Sequence, residues 1–357
     1  MLNAIHSLRF VFVTLIVLSH IIGRGFDFGG ECGVAFFFIL SGFVLSKAYG
    51  DNKREGIFRT RAFVGKQLLK FYPLHLLTMV LVLLMDTRIG IHVEWTKPIP
   101  SLLLVQSWIP DERIYFFANG PAWFLSDITF FYLAFSVLFI TLNRLSAKRL
   151  TILCLCVMVC YILFASVIPE EKVNTGLYIF PLTRIIDFAI GILLFRFYRS
   201  EEGEALKRWL KKRNSVECSL MEVAVVAVVV LTAFVYPQLS PRIRCAALFW
   251  IPISLSVCFF AMADKCGGAI SRVLSSKAMT SLGSISFEIY MLHTIVMRIV
   301  ESVAMHTGKE ICLQQPLKSV VILSLAIAVS YPVKIFFVDK IYRKAANGRY
   351  IDKHQKK

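Results

Sequence analysis

Little in this 357-residue sequence could build a soluble enzyme. It has no Gly-rich phosphate loop, no zinc motif and no nucleophile elbow, so the chemistries those motifs support are not expected. Its nine cysteines fall into no metal-binding or redox spacing. Cys154, Cys156 and Cys160 lie inside an apolar run, where they are expected to pack as small hydrophobes. Cys32 and Cys312 would share one side of a membrane, and the sequence leaves a disulfide between them open. Acidic residues are also scarce: 23 Asp and Glu stand against 40 Lys and Arg, a net charge of +17. No nucleic-acid module accompanies that charge, which sits in short loops, so a nucleic-acid partner is not expected.

Apolar sequence is abundant. The chain is 57% hydrophobic with a mean hydropathy of +0.67, and runs long enough to cross lipid recur from end to end. The expected fold is all-α, a polytopic membrane protein with about ten transmembrane helices. The spans are read at 8–23, 32–49, 71–86, 121–142, 149–168, 177–197, 220–237, 246–263, 283–304 and 317–338. The stretch 87–120 contains "SLLLVQSWIP", too short to span, and reads as interfacial or re-entrant. No cleavage site follows the first helix, which is expected to stay in the mature protein.

Loop charges orient the chain. Lys and Arg gather after the second, fourth and sixth spans and in the tail, while Arg242 and Arg244 run against the trend. The positive-inside rule then places both termini in the cytoplasm. Residues 1–340 form the membrane domain and 341–357 a basic cytoplasmic tail. The basic loop at 53–70, including Lys66 and Lys70, serves topology, or holds a phosphorylated cytoplasmic ligand by charge pairing.

The polar residues inside the spans therefore carry the functional question. "LRFVFVTLIVLSH" holds Arg9 and His20 eleven positions apart. On a helix they share a face to within about 20° and lie about 16 Å apart along the axis. Each alone reads as a residue at a helix end, Arg9 snorkelling and His20 interfacial. Together they can line one interior groove, since ionisable residues in spans face the bundle interior. Arg184 and Asp187 are three apart and can form a buried ion pair. Ser41 and Gly42 interrupt the second span, for helix packing or for substrate contact. Trp123 heads the fourth span, as a belt residue or a sugar-stacking surface. Tyr290 and His293 share a face deep in the ninth span.

In order along the chain, Arg-x10-His followed by "GVAFFFILSGFVLS", then "FVGKQLLKFYPLHLL", "PAWFLSDITFFYLAF", "RIIDFAIGILL" and "SLGSISFEIYMLHTIV" resemble the integral-membrane acyltransferase 3 family. The resemblance covers nearly the whole chain and rests on the ordered set. It implies transfer of an acyl group, often acetyl from acetyl-CoA as a donor substrate, to a hydroxyl of a carbohydrate or glycolipid. No permanently bound cofactor is implied. Many members modify bacterial surface polysaccharides, which implies a multi-pass protein of the cytoplasmic membrane. Arg9 and His20 match the family's first motif. Members often have Arg where this chain has Gln67 and Lys70, so donor phosphates would meet lysine point charges and not a guanidinium fork. Many carry an acid where Ala35 stands, and Glu31 is the nearby substitute. A frequent Glu aligns with Ile128, beside this chain's Asp127, a shift of about 100° around a helix. His75, where members often have Tyr, reads as interfacial.

The chemistry suits that resemblance. A sugar hydroxyl is a poor nucleophile, and a neutral imidazole at His20 can take its proton as it attacks a thioester. Glu31 would orient that ring. An acyl-histidine intermediate is the other route. Arg9 would hold the donor or meet negative charge in the transition state. A transporter or flippase uses intramembrane polar residues too, but no inverted repeat or matched pair of broken helices is visible.

Overall fold

The computed structural model describes residues 2–23, 25–50, 60–92, 94, 96–263, 266–308 and 314–344. Every element among them is helical. In order they are α1 (Asn3–Ile22), α2 (Asp27–Gly50), α3 (Thr60–Arg88), α4 (Pro98–Leu102), α5 (Glu112–Tyr115), α6 (Trp123–Arg144), α7 (Ala147–Val167) and α8 (Pro181–Tyr198). There follow α9 (Glu201–Lys211), α10 (Ser215–Val235), α11 (Pro241–Arg244), α12 (Ala247–Met262), α13 (Ala269–Leu274), α14 (Lys277–Ser284), α15 (Ser286–Thr307) and α16 (Leu317–Pro332).

Lipid has no water to satisfy backbone polar groups, so apolar runs of this length close their hydrogen bonds internally as helices. Among the described residues eight helices are long and apolar enough to cross, or up to ten when two bent pairs each count as one span. One bend, of 42°, joins a π-helical turn at Asn174–Ile179 to α8; the other, of 63°, joins α14 to α15. The segment 96–119 breaks into short helices and turns, none long enough to cross. Proline sits inside α3 at Pro73 and inside α12 at Pro252.

Burial separates centre from rim. In α2 78% of the apolar window is buried, against 11% in α7 and in α10, which face outward. Cys154, Cys156 and Cys160 are exposed on α7, so they do not pack in the interior as expected from sequence; an apolar helix at the rim turns its small side chains to lipid as readily as inward. Cys32 is a buried free thiol, and Cys312 lies outside the described residues. The disulfide that is present joins Cys218 at the start of α10 to Cys266, a pairing that spacing alone did not suggest.

Glycine sets the closest helix contact. A Cβ on Gly42 would strike the Phe188 carbonyl, and one on Gly191 the Ile39 carbonyl, so α2 and α8 pack backbone to backbone. α2 runs unbroken through Ser41 and Gly42, and the Ser41 hydroxyl folds back onto the Phe37 carbonyl at 2.7 Å. The expected interruption of the second span is therefore a packing groove in a continuous helix.

Candidate functional site

α1 is a single unbroken helix, so the shared face of Arg9 and His20 survives folding. Arg9 lies in the wall of a cavity of about 430 Å³. Lys70 and Gln67 from α3 join it there, with Lys334, Asp339 and Tyr342 from the C-terminal segment and Glu288 from the start of α15. Lys70 Nζ donates to Gln67 Oε1 at 2.8 Å. Glu288 is buried, its Oε1 stands 3.9 Å from Lys334 Nζ, and its Oε2 has no hydrogen-bond partner. Arg9 counts Glu288 and Tyr132 as its electrostatic neighbours. This end of the cavity is polar and carries three cations.

The remainder of the wall is apolar and aromatic. It includes Ile16, Phe37, Phe124, Leu125 and Ile128, with Ser41 and Tyr290. Ile16 is one turn before His20, and Tyr290 is one turn before His293. The cavity therefore reaches the turn that precedes each histidine. Neither histidine is itself part of the wall.

The two histidines meet across 273 residues, His20 Nδ1 lying 2.7 Å from His293 Nε2. His20 is exposed at the end of α1, whereas His293 is wholly buried. His293 Nδ1 points at the Tyr290 carbonyl at 2.7 Å and the Ile289 carbonyl at 3.2 Å. A loop latches this part of α15. Asn119 Nδ2 donates to the Met291 carbonyl at 2.9 Å, the Thr294 hydroxyl donates to Asn119 Oδ1 at 2.8 Å, and the Tyr290 hydroxyl donates to the Pro121 carbonyl at 2.7 Å.

Glu31 does not orient His20, as expected from sequence. Its neighbours are Tyr236, Arg244 and Arg184, because its turn of α2 packs towards Tyr236 and α12. Lys66 is exposed and stays off the cavity that Lys70 reaches. Asp127 is fully buried with neither carboxylate oxygen hydrogen-bonded, and it turns towards Ser107, Arg184 and Asp187, while Ile128 faces the cavity.

Arg184 and Asp187 form the buried ion pair the spacing suggested, Nη2 to Oδ2 at 3.0 Å. Trp250 Nε1 donates to Asp187 Oδ1 at 2.5 Å, and Arg184 Nη1 donates to the Cys245 carbonyl at 3.1 Å. The Arg184 guanidinium also sits over the Phe38 and Tyr178 rings, at 5.2 and 5.5 Å. The pair is thus part of the packing between α8 and α12, outside the cavity wall.

Trp123 is 4% exposed and packs against Tyr178 with ring centroids 5.1 Å apart, so it is a core residue and not part of a lipid-facing belt. His75, read as interfacial, is buried, its Nε2 2.9 Å from the Ser101 carbonyl of the non-crossing segment. The segment at 98–102 folds back onto α3 and covers His75, whereas the rings of Tyr178 and Phe38 enclose Trp123.

Glu288, Lys334, Asp339, Tyr132 and Tyr342 were not singled out from sequence. A charge on the first turn of the ninth span was the available signal for Glu288.

A helical bundle that crosses the membrane, with a cavity charged at one end and a paired histidine beyond the other, defines a multi-pass protein with an internal site. The acyltransferase domain that characterises the acyltransferase 3 family matches residues 2–335, and the chain belongs to that family. It is 28% identical over 286 residues to acyltransferase MdmB of Streptomyces mycarofaciens, covering 75% of this chain and 68% of that protein. No solved structure matches. The chain is a membrane acyltransferase.

Proposed function

We propose that the enzyme moves an acyl group, acetyl from acetyl-CoA, to a hydroxyl of a surface polysaccharide or glycolipid in the cytoplasmic membrane of a bacterium. The observation that carries this reading is the shared face of α1. Arg9 and Ile16 line the cavity, and His20, an exposed residue paired with buried His293, follows one turn later.

Loop charges put the Arg9 end in the cytoplasm, where acyl-CoA is made. Arg9, Lys70 and Lys334 then meet the donor's phosphates at the charged end. The aromatic stretch beyond them would take the uncharged arm and exclude water from the thioester. Arg9 and His20 remain about 16 Å apart on a straight helix, too far for both to touch one reacting carbonyl. Arg9 is therefore assigned to the donor, and His20 to the chemistry.

At the His20 end the acceptor hydroxyl gives its proton to the imidazole as its oxygen attacks the thioester carbon. The carbon–sulfur bond breaks, and the departing thiolate takes the proton back from His20. The products are an ester and free CoA, with the histidine returned to its starting state. Ser41 and Tyr290, whose hydroxyls donate to the Phe37 and Pro121 carbonyls, would meet the donor as part of the wall.

Membranes containing the protein, incubated with acetyl-labelled CoA, test the reading. Label is expected in a glycan or glycolipid fraction and is expected to vanish with His20→Ala made at equal levels. Transfer at the wild-type rate by His20→Ala would remove His20 from the mechanism. Unmodified glycan crossing the membrane with no label incorporated would favour a transporter.

A further inference from the structure

The hydrogen bonds around the two histidines fix more than a contact. A backbone carbonyl only accepts, so His293 Nδ1, 2.7 Å from the Tyr290 carbonyl, must carry a proton. A neutral imidazole with that proton has a bare Nε2. His20 Nδ1 lies 2.7 Å from that bare nitrogen. Two lone pairs do not face one another at this distance, so His20 Nδ1 carries a proton as well. The remaining nitrogen of neutral His20, Nε2, is then the bare one. The alternative, a charged His293 donating to His20, would bury an imidazolium in a wholly enclosed site. Among the described residues no carboxylate is an electrostatic neighbour of either ring to offset that charge.

The ring geometry agrees. The two ring planes differ by 9° and the centroids are 4.9 Å apart. The nitrogen–nitrogen distance plus one ring radius at each end accounts for that separation, so the rings lie edge to edge with a near-linear hydrogen bond between them.

We propose that His293 is a positioning residue for acyl transfer: its buried ring, held by the Tyr290 carbonyl, forces His20 to keep its Nε2 lone pair free for the acceptor hydroxyl. This rests on the reading of His20 as the base. The Asn119 latch ties that turn of α15 to the loop before α6, and α15 packs directly on α1. When His20 takes the proton at Nε2, its Nδ1–H still donates to His293, so the relay holds the charged and the neutral ring in one orientation. The partner is a neutral ring and not a carboxylate, so the charged form of His20 is stabilised less and gives its proton more readily to the departing thiolate.

The decisive experiment is a nitrogen-15 spectrum of histidine-labelled protein in lipid nanodiscs, assigned with His20→Ala and His293→Gln, alongside steady-state kinetics with acetyl-CoA. In the wild type, His20 is expected to show a protonated Nδ1 and an unprotonated Nε2. In His293→Leu, His20 is expected to lose that tautomer. Its kcat should fall by about 10² to 10⁴, the range for a misdirected general base, with the KM for acetyl-CoA unchanged. In His293→Gln the side-chain oxygen can still accept from His20 Nδ1, and kcat should stay within about tenfold of wild type. A wild-type His20 protonated at Nε2 would overturn the proposal, as would a folded Gln variant no better than Leu. The spectrum is read without turnover, so it separates this proposal from the base assignment. An active His20→Ala enzyme would refute the base assignment while leaving the tautomer to be decided by the spectrum.

Discussion

Arg9 and Asp187 are both charged residues within apolar helices, yet their surroundings differ. Arg9 lines a cavity, and its substitution should act on the donor. Arg9→Lys keeps the charge but loses the planar fork, so kcat/KM for acetyl-CoA should fall by about tenfold, mostly through KM. Unchanged kinetics would make Arg9 a snorkelling residue. Asp187 is buried against Arg184 and Trp250. Asp187→Asn leaves the guanidinium without its counter-charge, a loss of about 3–5 kcal/mol for a buried pair, and should lower the melting temperature in detergent. Wild-type melting in that variant would mean that the pair contributes little. The pair was legible because its members are three residues apart on one helix. The His20–His293 contact was not, because 273 residues separate them and only the packing of α1 on α15 brings them together.

At the scale of elements, the spans were legible because lipid leaves an apolar run few alternatives to a helix. The two bends at Phe180 and Ile285 and the fold of 98–122 were not, because short polar-apolar mixtures take their shape from what they cover. α2 supplies Phe37 and Ser41 to the cavity wall, and glycine sets its spacing from α8 behind that wall. Gly191→Val would place a branched side chain against the Ile39 carbonyl. Separation of the helices should cost about 1–3 kcal/mol or more. Thermal unfolding should show the loss, with activity falling in parallel; a stable, active variant would show that the contact is loose.

At the scale of the whole molecule, the proposed function puts donor and acceptor chemistry at opposite ends of α1. The charged end of the cavity was only half legible. Arg9 and Lys70 stood out, but Glu288, Lys334 and Asp339 come from elements remote in sequence that close over the same space. The proposed acceptor leaves no mark in the sequence, since a hydroxyl would need only a base and an open face. Mass spectrometry of surface glycans from cells making wild-type protein or His20→Ala at equal levels tests the central claim most directly. Glycan carrying an added acyl mass is expected from the wild type and absent from the variant. The same acyl mass in both would contradict acyl transfer through His20.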